Sequence, residues 1–384
     1  MPLRVLHCPW MVGGNPGGLA AAERELGLES TTIAFQDPPF GYPADAVVWN
    51  EGDRPLVCEL KRWRLLRRAL RDFDVVHFNF GSTIAPQRIP SDAPGVEAAG
   101  RLRDRAFRTY SALLEQVDLP LLRRAGKAIF VTFQGDDARQ GDVSAQFPVN
   151  GAVEAGPAHY TPASDRDKRR RIARFDRHAD GIYALNPDIL RVLPARAEFL
   201  PYANLDPRAW QPAPPSGVER PLVLHAPTNR GIKGTRFVLD AVLRLQAEGI
   251  AFDFQLVEGL THAEAQAIYA RADLVVDQLL VGWYGGLAVE LMALGRPVVA
   301  YLREEDLDLL PAEMRAEIPV ISAEPATIHD VLKDLLTARR GELAEIGRRG
   351  REYVERWHDP RRIAERLVSA YEAAVAGRRS SAPR

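Results

Sequence analysis

The chain has 384 residues, of which 46% are hydrophobic and 26% charged, with a formal net charge of −1. That length exceeds what a single core normally serves, so two domains are expected, and the near-neutral balance gives no global attraction to nucleic acid or to an acidic membrane. Cys8 and Cys58 stand far apart without metal-ligand spacing, the N-terminal apolar run is short, and no stretch is long enough to span a bilayer; a disulfide framework and a membrane span are excluded, and a cytoplasmic protein is expected.

Apolar runs at residues 3–8, 31–35, 74–80, 128–133 and 181–185 read as strands alternating with helices, the pattern of a doubly wound sheet. After the first strand comes Gly13-Gly14-Asn15-Pro16-Gly17-Gly18, ahead of a helix expected from about residue 19. Four glycines in six residues let a backbone approach a ligand closely, although the spacing is not the dinucleotide fingerprint and a plain flexible turn also fits. Residues 61–71 form a basic helix in which Leu65, Leu66, Ala69 and Leu70 make a core-facing stripe, while the arginines face solvent or rest peripherally on an anionic membrane. A polar turn, Gln134-Gly135-Asp136-Asp137-Ala138-Arg139, follows the 128–133 strand. Gln134 cannot accept a proton, so Asp136 and Asp137 are the candidate bases there; a helix cap explains the same residues, and two adjacent carboxylates diverge too much for a metal pair. Lys168-Arg169-Arg170-Arg171 reads as a basic helix face or a site-edge patch. His7, His77 and His225 fall near strand ends without metal-ligand spacing and are expected to be buried and hydrogen-bonded.

Prolines at 201, 207, 212, 214, 215 and 221 mark a linker. A second alternation follows, with strands at residues 221–225, 251–257, 273–277, 297–301 and 318–321, and an amphipathic helix at 360–375 that can cross back onto the first domain. The expected division is an N-terminal domain of residues 1–205 completed by the helix at about 360–376, a C-terminal domain of 206–359, and a frayed tail at 377–384.

Two segments of the second half bear on chemistry. In Pro227-Thr228-Asn229-Arg230-Gly231-Ile232-Lys233-Gly234-Thr235, Arg230 and Lys233 follow a strand and precede a helix, a setting in which two cations can hold a diphosphate. The spacing is not that of a Walker loop. In Gly282-Trp283-Tyr284-Gly285-Gly286-Leu287-Ala288-Val289-Glu290, glycines open an otherwise apolar helix that carries one carboxylate. Glu290 lies four residues after Gly286, so backbone amides for phosphate and a carboxylate for hydroxyls share one helix start.

In order, Lys233-Gly234-Thr235, Glu258-Gly259, Ala272-Asp273-Leu274-Val275 and the run from Gly285 to Val299 resemble the GT-B-fold, family-4-type glycosyltransferases, well over residues 222–301 and more loosely before. The resemblance implies two Rossmann-like α/β domains facing across an interdomain cleft, the first on the acceptor side and the second on the donor side. It implies transfer of a hexose-type sugar from a nucleoside-diphosphate sugar to the hydroxyl of a glycan, a lipid-linked saccharide or another acceptor, with retention, without a metal or other cofactor, in glycan or polysaccharide biosynthesis. Nucleic acid is not an expected partner, and a peripheral place on the inner membrane face fits the same role. Carried over, diphosphate binding falls on Arg230 and Lys233, phosphate and sugar on the amides of Tyr284, Gly285, Gly286 and Leu287, and the ribose on Glu290; Gly13 and Gly14 face the donor or acceptor. Two departures stand out. Gly282 occupies the place of a sugar-gripping glutamate, and Arg230 stands three rather than five residues before Lys233. Trp283 and Tyr284 by stacking, or Asp277 and Gln278 by hydrogen bonds, are then expected to contact the sugar, with Gln134, Asp137 and Arg139 as further contacts and Asp136 as catalytic base. A nucleotide-sugar epimerase of the same fold and a non-catalytic nucleotide-binding subunit are the alternatives.

Overall fold

A computed structural model describes residues 2–90, 102–154, 156, 159–213, 215 and 219–381. The chain forms two compact α/β units. One comprises Met1–Asp142, Tyr160–Asn204 and Pro360–Arg384, and the other Val143–His159 and Leu205–Asp359. The segment Val143–His159 therefore belongs with the second unit, where the sequence reading placed it in the first. The terminal helix, Pro360–Ser381, runs past residue 376, so Gly377 to Ser381 are helical rather than frayed; residues 382–384 lie outside the described residues, as does Pro214 of the expected linker.

The first unit holds seven strands, β1 (Arg4–Cys8), β2 (Glu29–Ala34), β3 (Ala46–Val47), β4 (Val75–Asn79), β5 (Ala128–Phe133), β6 (Gly181–Ala184) and β7 (Glu198–Phe199), all parallel in the order β3-β2-β1-β4-β5-β6-β7. Both faces are covered, which is why these strands read as continuous apolar runs. Alternate residues serve opposite cores: Leu6, Val76, Ile129 and Val131 pack on one face, while Val5, Val75, Ala128 and Phe130 meet Leu367 and Tyr371 of the terminal helix on the other.

The second face also contains a buried polar network. Glu23 accepts from Ser30 Oγ (2.6 Å), from His7 Nε2 (2.9 Å) and from the Tyr371 hydroxyl (3.1 Å). Since Tyr371 donates to Glu23, it accepts from His77 Nδ1 at 2.6 Å, and His77 Nε2 then accepts from the Thr132 hydroxyl at 2.7 Å. Burial holds the pKa of His77 well below the ordinary histidine value, in keeping with this neutral tautomer.

Asp118, fully buried, accepts from the Ala85 amide at 2.8 Å, and burial pushes its carboxyl up to about 6. The folded state thus binds a proton more tightly than the unfolded chain, whose ordinary value is 3.8. The resulting stabilisation is complete below that value and is lost as pH rises through about 6. Asp118→Asn is accordingly expected to stabilise the protein at pH 8 by roughly 1–3 kcal/mol, a gain that fades as pH falls through the same window. Thermal melts at pH 8 and pH 4.5 check this, and equal effects at both would refute it.

The second unit has five parallel strands, β8 (Leu222–His225), β9 (Asp253–Leu256), β10 (Leu274–Val276), β11 (Val298–Ala300) and β12 (Ile321–Ser322), in the order β12-β11-β10-β8-β9. Val223, Leu274, Val276 and Val299 form its core with Val238, Leu245 and Leu332 of the covering helices. Each sheet has one place where neighbouring strands send their outgoing connections to opposite sides: β1 beside β4, and β8 beside β10. Such switch points are where open α/β sheets bind ligands.

Candidate active site at the carboxyl edges of the sheets

At the second switch point, the loop after β8 folds into a single helical turn, Arg230–Lys233. Asn229 caps it, its Oδ1 accepting from Gly231 N (2.9 Å) and Ile232 N (3.1 Å), and Gly234 ends it with φ 73°. The turn directs Lys233 Nζ onto Asp277 Oδ1 at 2.9 Å; Asp277 is the first residue after β10 and is fully buried. The other oxygen, Oδ2, accepts from the Gly285 amide at 2.6 Å, and Gly285 is the N-cap of the Gly286–Ala293 helix. A side chain on Gly285 would lie 3.2 Å from Lys233 Nζ, so the ammonium stands directly beside the helix start. A cation, a helix N-terminus and one buried carboxylate therefore share this edge, a local balance that favours a further anion.

Glu290 is 2% exposed on the same helix, and His262 Nε2 meets its Oε2 at 2.9 Å. The sequence reading did not name His262. Its place was legible in part, because Thr261 and Glu264 form a capping box that puts His262 in a helical first turn, but the contact with Glu290 is tertiary. Burial, and secondarily the Glu290 carboxylate, push the Tyr269 phenol up.

Several expected contacts are reassigned. The rings of Trp283 and Tyr284 are fully buried and stack on each other with centroids 4.1 Å apart, and the Tyr284 hydroxyl bonds Tyr353 and His358, each at 2.9 Å. They are core residues and do not stack on a sugar. Gln278 is buried and donates to the Trp283 carbonyl, and Asp277 serves Lys233 and Gly285, so neither faces a sugar hydroxyl. Arg230 is exposed and paired with Glu258 through bonds of 2.8 and 2.5 Å. Gly282 has φ 85°, and a Cβ there would lie 3.0 Å from Arg303 Cβ; backbone strain and a tight neighbour both disfavour a glutamate at this position.

In the first unit the glycine-rich stretch is mostly helix, Asn15–Glu25, capped by Gly14 (φ 70°). Gly13, with φ 62°, has open space around it, whereas a Cβ on Gly18 would meet the Ala203 carbonyl oxygen at 2.0 Å, which makes Gly18 a packing requirement. Asp137 caps the polar turn by accepting from the amides of Gln134 (3.0 Å) and Gly135 (2.7 Å), and burial raises its carboxyl to about 6. Arg139 binds Asp188 at 2.6 Å and Asp136 at 3.0 Å, and Asp136 also accepts from the Tyr160 hydroxyl. Arg139 is therefore structural, and of this turn Asp136 and Asp137 line an open space, a cavity of about 570 Å3. His7, His77 and His225 are all buried and hydrogen-bonded, His225 through Val276 O (2.8 Å) and Thr235 Oγ1 (2.9 Å). No helix among the described residues is long and apolar enough to cross a membrane.

No protein-family model matches the chain, and no curated protein matches it. Solved structures do. A sucrose-phosphate synthase from Thermosynechococcus elongatus superposes with a TM-score of 0.59 at 14% identity, over 98% of this chain and 100% of that one. The HepE protein of Anabaena, solved in complex with UDP-glucose, gives 0.58 at 12% identity, over 97% and 100%. The catalytic domain of starch synthase IV from Arabidopsis thaliana, bound to ADP and acarbose, gives 0.55 at 11% identity, over 98% and 100%. The fold is thus that of the GT-B glycosyltransferases, with two Rossmann-like parallel sheets.

Proposed function

We propose that the chain is a glycosyltransferase that moves a hexose-type sugar from a nucleoside-diphosphate sugar to an acceptor hydroxyl, with retention and without a metal, in glycan or polysaccharide biosynthesis. The observation that carries this reading is Lys233 Nζ set beside the N-terminus of the Gly286–Ala293 helix by Asp277, with Glu290 on the same helix. In this reading the diphosphate takes the Leu287 amide and the remaining N–H donors of Lys233, which neutralise charge as the sugar leaves. Arg230, on the exposed side of the same turn, exchanges Glu258 for phosphate oxygens. Glu290 holds the ribose hydroxyls, with His262 fixing its orientation. The fold neighbours support the reading because the HepE protein was solved with UDP-glucose and the starch synthase domain with ADP.

Isothermal calorimetry with UDP, ADP and GDP tests it: one of them is expected to bind, and no binding by any of the three would end the proposal. Glu290→Ala is expected to weaken that binding about 10- to 100-fold, the scale of losing one or two charge-assisted hydrogen bonds. An unchanged affinity would remove Glu290 from the site.

A non-catalytic nucleotide-binding role is favoured by one observation, the left-handed Gly282 covered by Arg303. It predicts nucleotide affinity without release of nucleoside diphosphate from any donor in the presence of acceptor extract.

A further inference from the structure

The cavity of about 570 Å3 in the first unit lies at the β1/β4 switch point: Trp10 and Met11 follow β1, Phe80 follows β4, and Asp136, Lys168 and Arg171 also line it. Its lining is apolar and aromatic at Trp10, Met11 and Phe80 and charged at Asp136, Asp137, Lys168 and Arg171. The charges are not equally engaged. Asp136 is bound by Arg139 and Tyr160, and Asp137 by two backbone amides. Arg171 is only 6% exposed, and its Nε has no hydrogen-bond partner. Its nearest carboxylate, Glu115, is 3.8 Å away, beyond hydrogen-bonding distance, and also faces Arg174 at 3.5 Å and Arg88 at 3.9 Å. One buried carboxylate thus confronts three guanidinium groups. Lys168 gives a hydrogen bond to the Arg139 carbonyl at 2.6 Å, and burial pushes its ammonium down to about 8. Around Arg171 the guanidinium groups outnumber the carboxylate they share, and an anion is the partner that best offsets the excess charge.

We propose that this cavity binds an acceptor carrying a carboxylate or phosphate beside a flat apolar group, with Arg171 holding the anion and Trp10 the flat group. The inference rests on the glycosyl-transfer reading and narrows its acceptor class. Aromatic surface and a fixed cation in one lining suit an amphiphilic ligand better than a bare neutral sugar.

Fluorescence binding with three probes tests it: 4-methylumbelliferyl glucuronide, 4-methylumbelliferyl phosphate and the uncharged 4-methylumbelliferyl glucoside. At least one anionic probe is expected to bind ten-fold or more tightly than the glucoside, and which one does so identifies the carboxylate or the phosphate as the anion. Arg171→Gln is expected to abolish the preference, Arg171→Lys to keep part of it, and Trp10→Leu to weaken all three probes alike. Equal affinities, no binding of any probe to the wild type, or a preference that survives Arg171→Gln each overturn the inference. Should Arg171→Gln fail to fold, the wild-type comparison of glucuronide, phosphate and glucoside decides alone. Nucleoside diphosphate titrated into the same samples separates the two readings: retained nucleotide binding without anion preference defeats this inference only, whereas absent nucleotide binding defeats the proposed function.

Discussion

Lys233→Ala is expected to lower transfer from a nucleoside-diphosphate sugar by two to three orders of magnitude, the scale seen when one preorganised group facing developing negative charge is removed (about 10²–10³). It also strips the fully buried Asp277 of its cation, and breaking a buried pair from one side costs about 3–5 kcal/mol. Activity and stability therefore fall together in the single variant, and neither measurement alone identifies the cause. The double variant Lys233→Ala/Asp277→Asn separates them. Its amide still accepts from Gly285 N, and the buried charge is gone, so most of the stability is expected to return while transfer stays low. Urea melts together with release of nucleoside diphosphate make the comparison; recovery of transfer in the double variant would reduce Lys233 to a structural counter-ion.

Gly347→Ala is expected to destabilise the second unit by about 3 kcal/mol, at the upper end for overpacking because the obstruction is backbone. A Cβ on Gly347, in the Leu343–Trp357 helix, would sit 2.0 Å from the Gly295 carbonyl oxygen. Gly295, with φ 71°, closes the Gly286–Ala293 helix, and Gly350 packs beneath Met292 of the same helix. The strain falls on the element that carries Glu290 and the helix start proposed to meet phosphate, so nucleoside diphosphate affinity should drop as well. Gly341→Ala, which meets nothing within 4 Å, is the matched control. Equal denaturation midpoints for the two variants would show that the helices part without cost.

The strands were legible because a parallel sheet covered on both faces demands uninterrupted apolar runs, and the 128–133 run coincides with β5 residue for residue. The strands β3 and β7 have two residues each and leave no such run. In the second unit the order of Lys233, Asp277, Gly285 and Glu290 along the chain was readable, but their partners were not: Lys233 and Asp277 are 44 residues apart, and His262 and Glu290 are 28 apart. Trp283 and Tyr284 were misread for the same reason. An aromatic pair before a helix looks available to a ligand until Tyr353 and His358, about 70 residues later, close over the phenol. The passage of Val143–His159 into the second unit has no signature in composition, since it depends on contacts such as the Glu154–Arg236 pair (2.6 and 2.7 Å) rather than on local pattern.

The Glu23 network sets an order of events during synthesis. Its carboxylate emerges early from the ribosome, yet one of its donors, Tyr371, and the apolar cover supplied by Ile363, Ala364 and Leu367 belong to a helix translated only after the second unit. Until then the nascent first unit carries a partly uncovered sheet face and an incompletely paired acid, whereas the second unit, Val143–His159 with Leu205–Asp359, has all of its sequence available beforehand. A chain ending at Asp359 is thus expected to keep a protease-resistant second unit and lose protection in the first. Limited proteolysis followed by mass spectrometry reads this directly, and equal protection of both units would show that the early-born part closes without the Pro360–Ser381 helix.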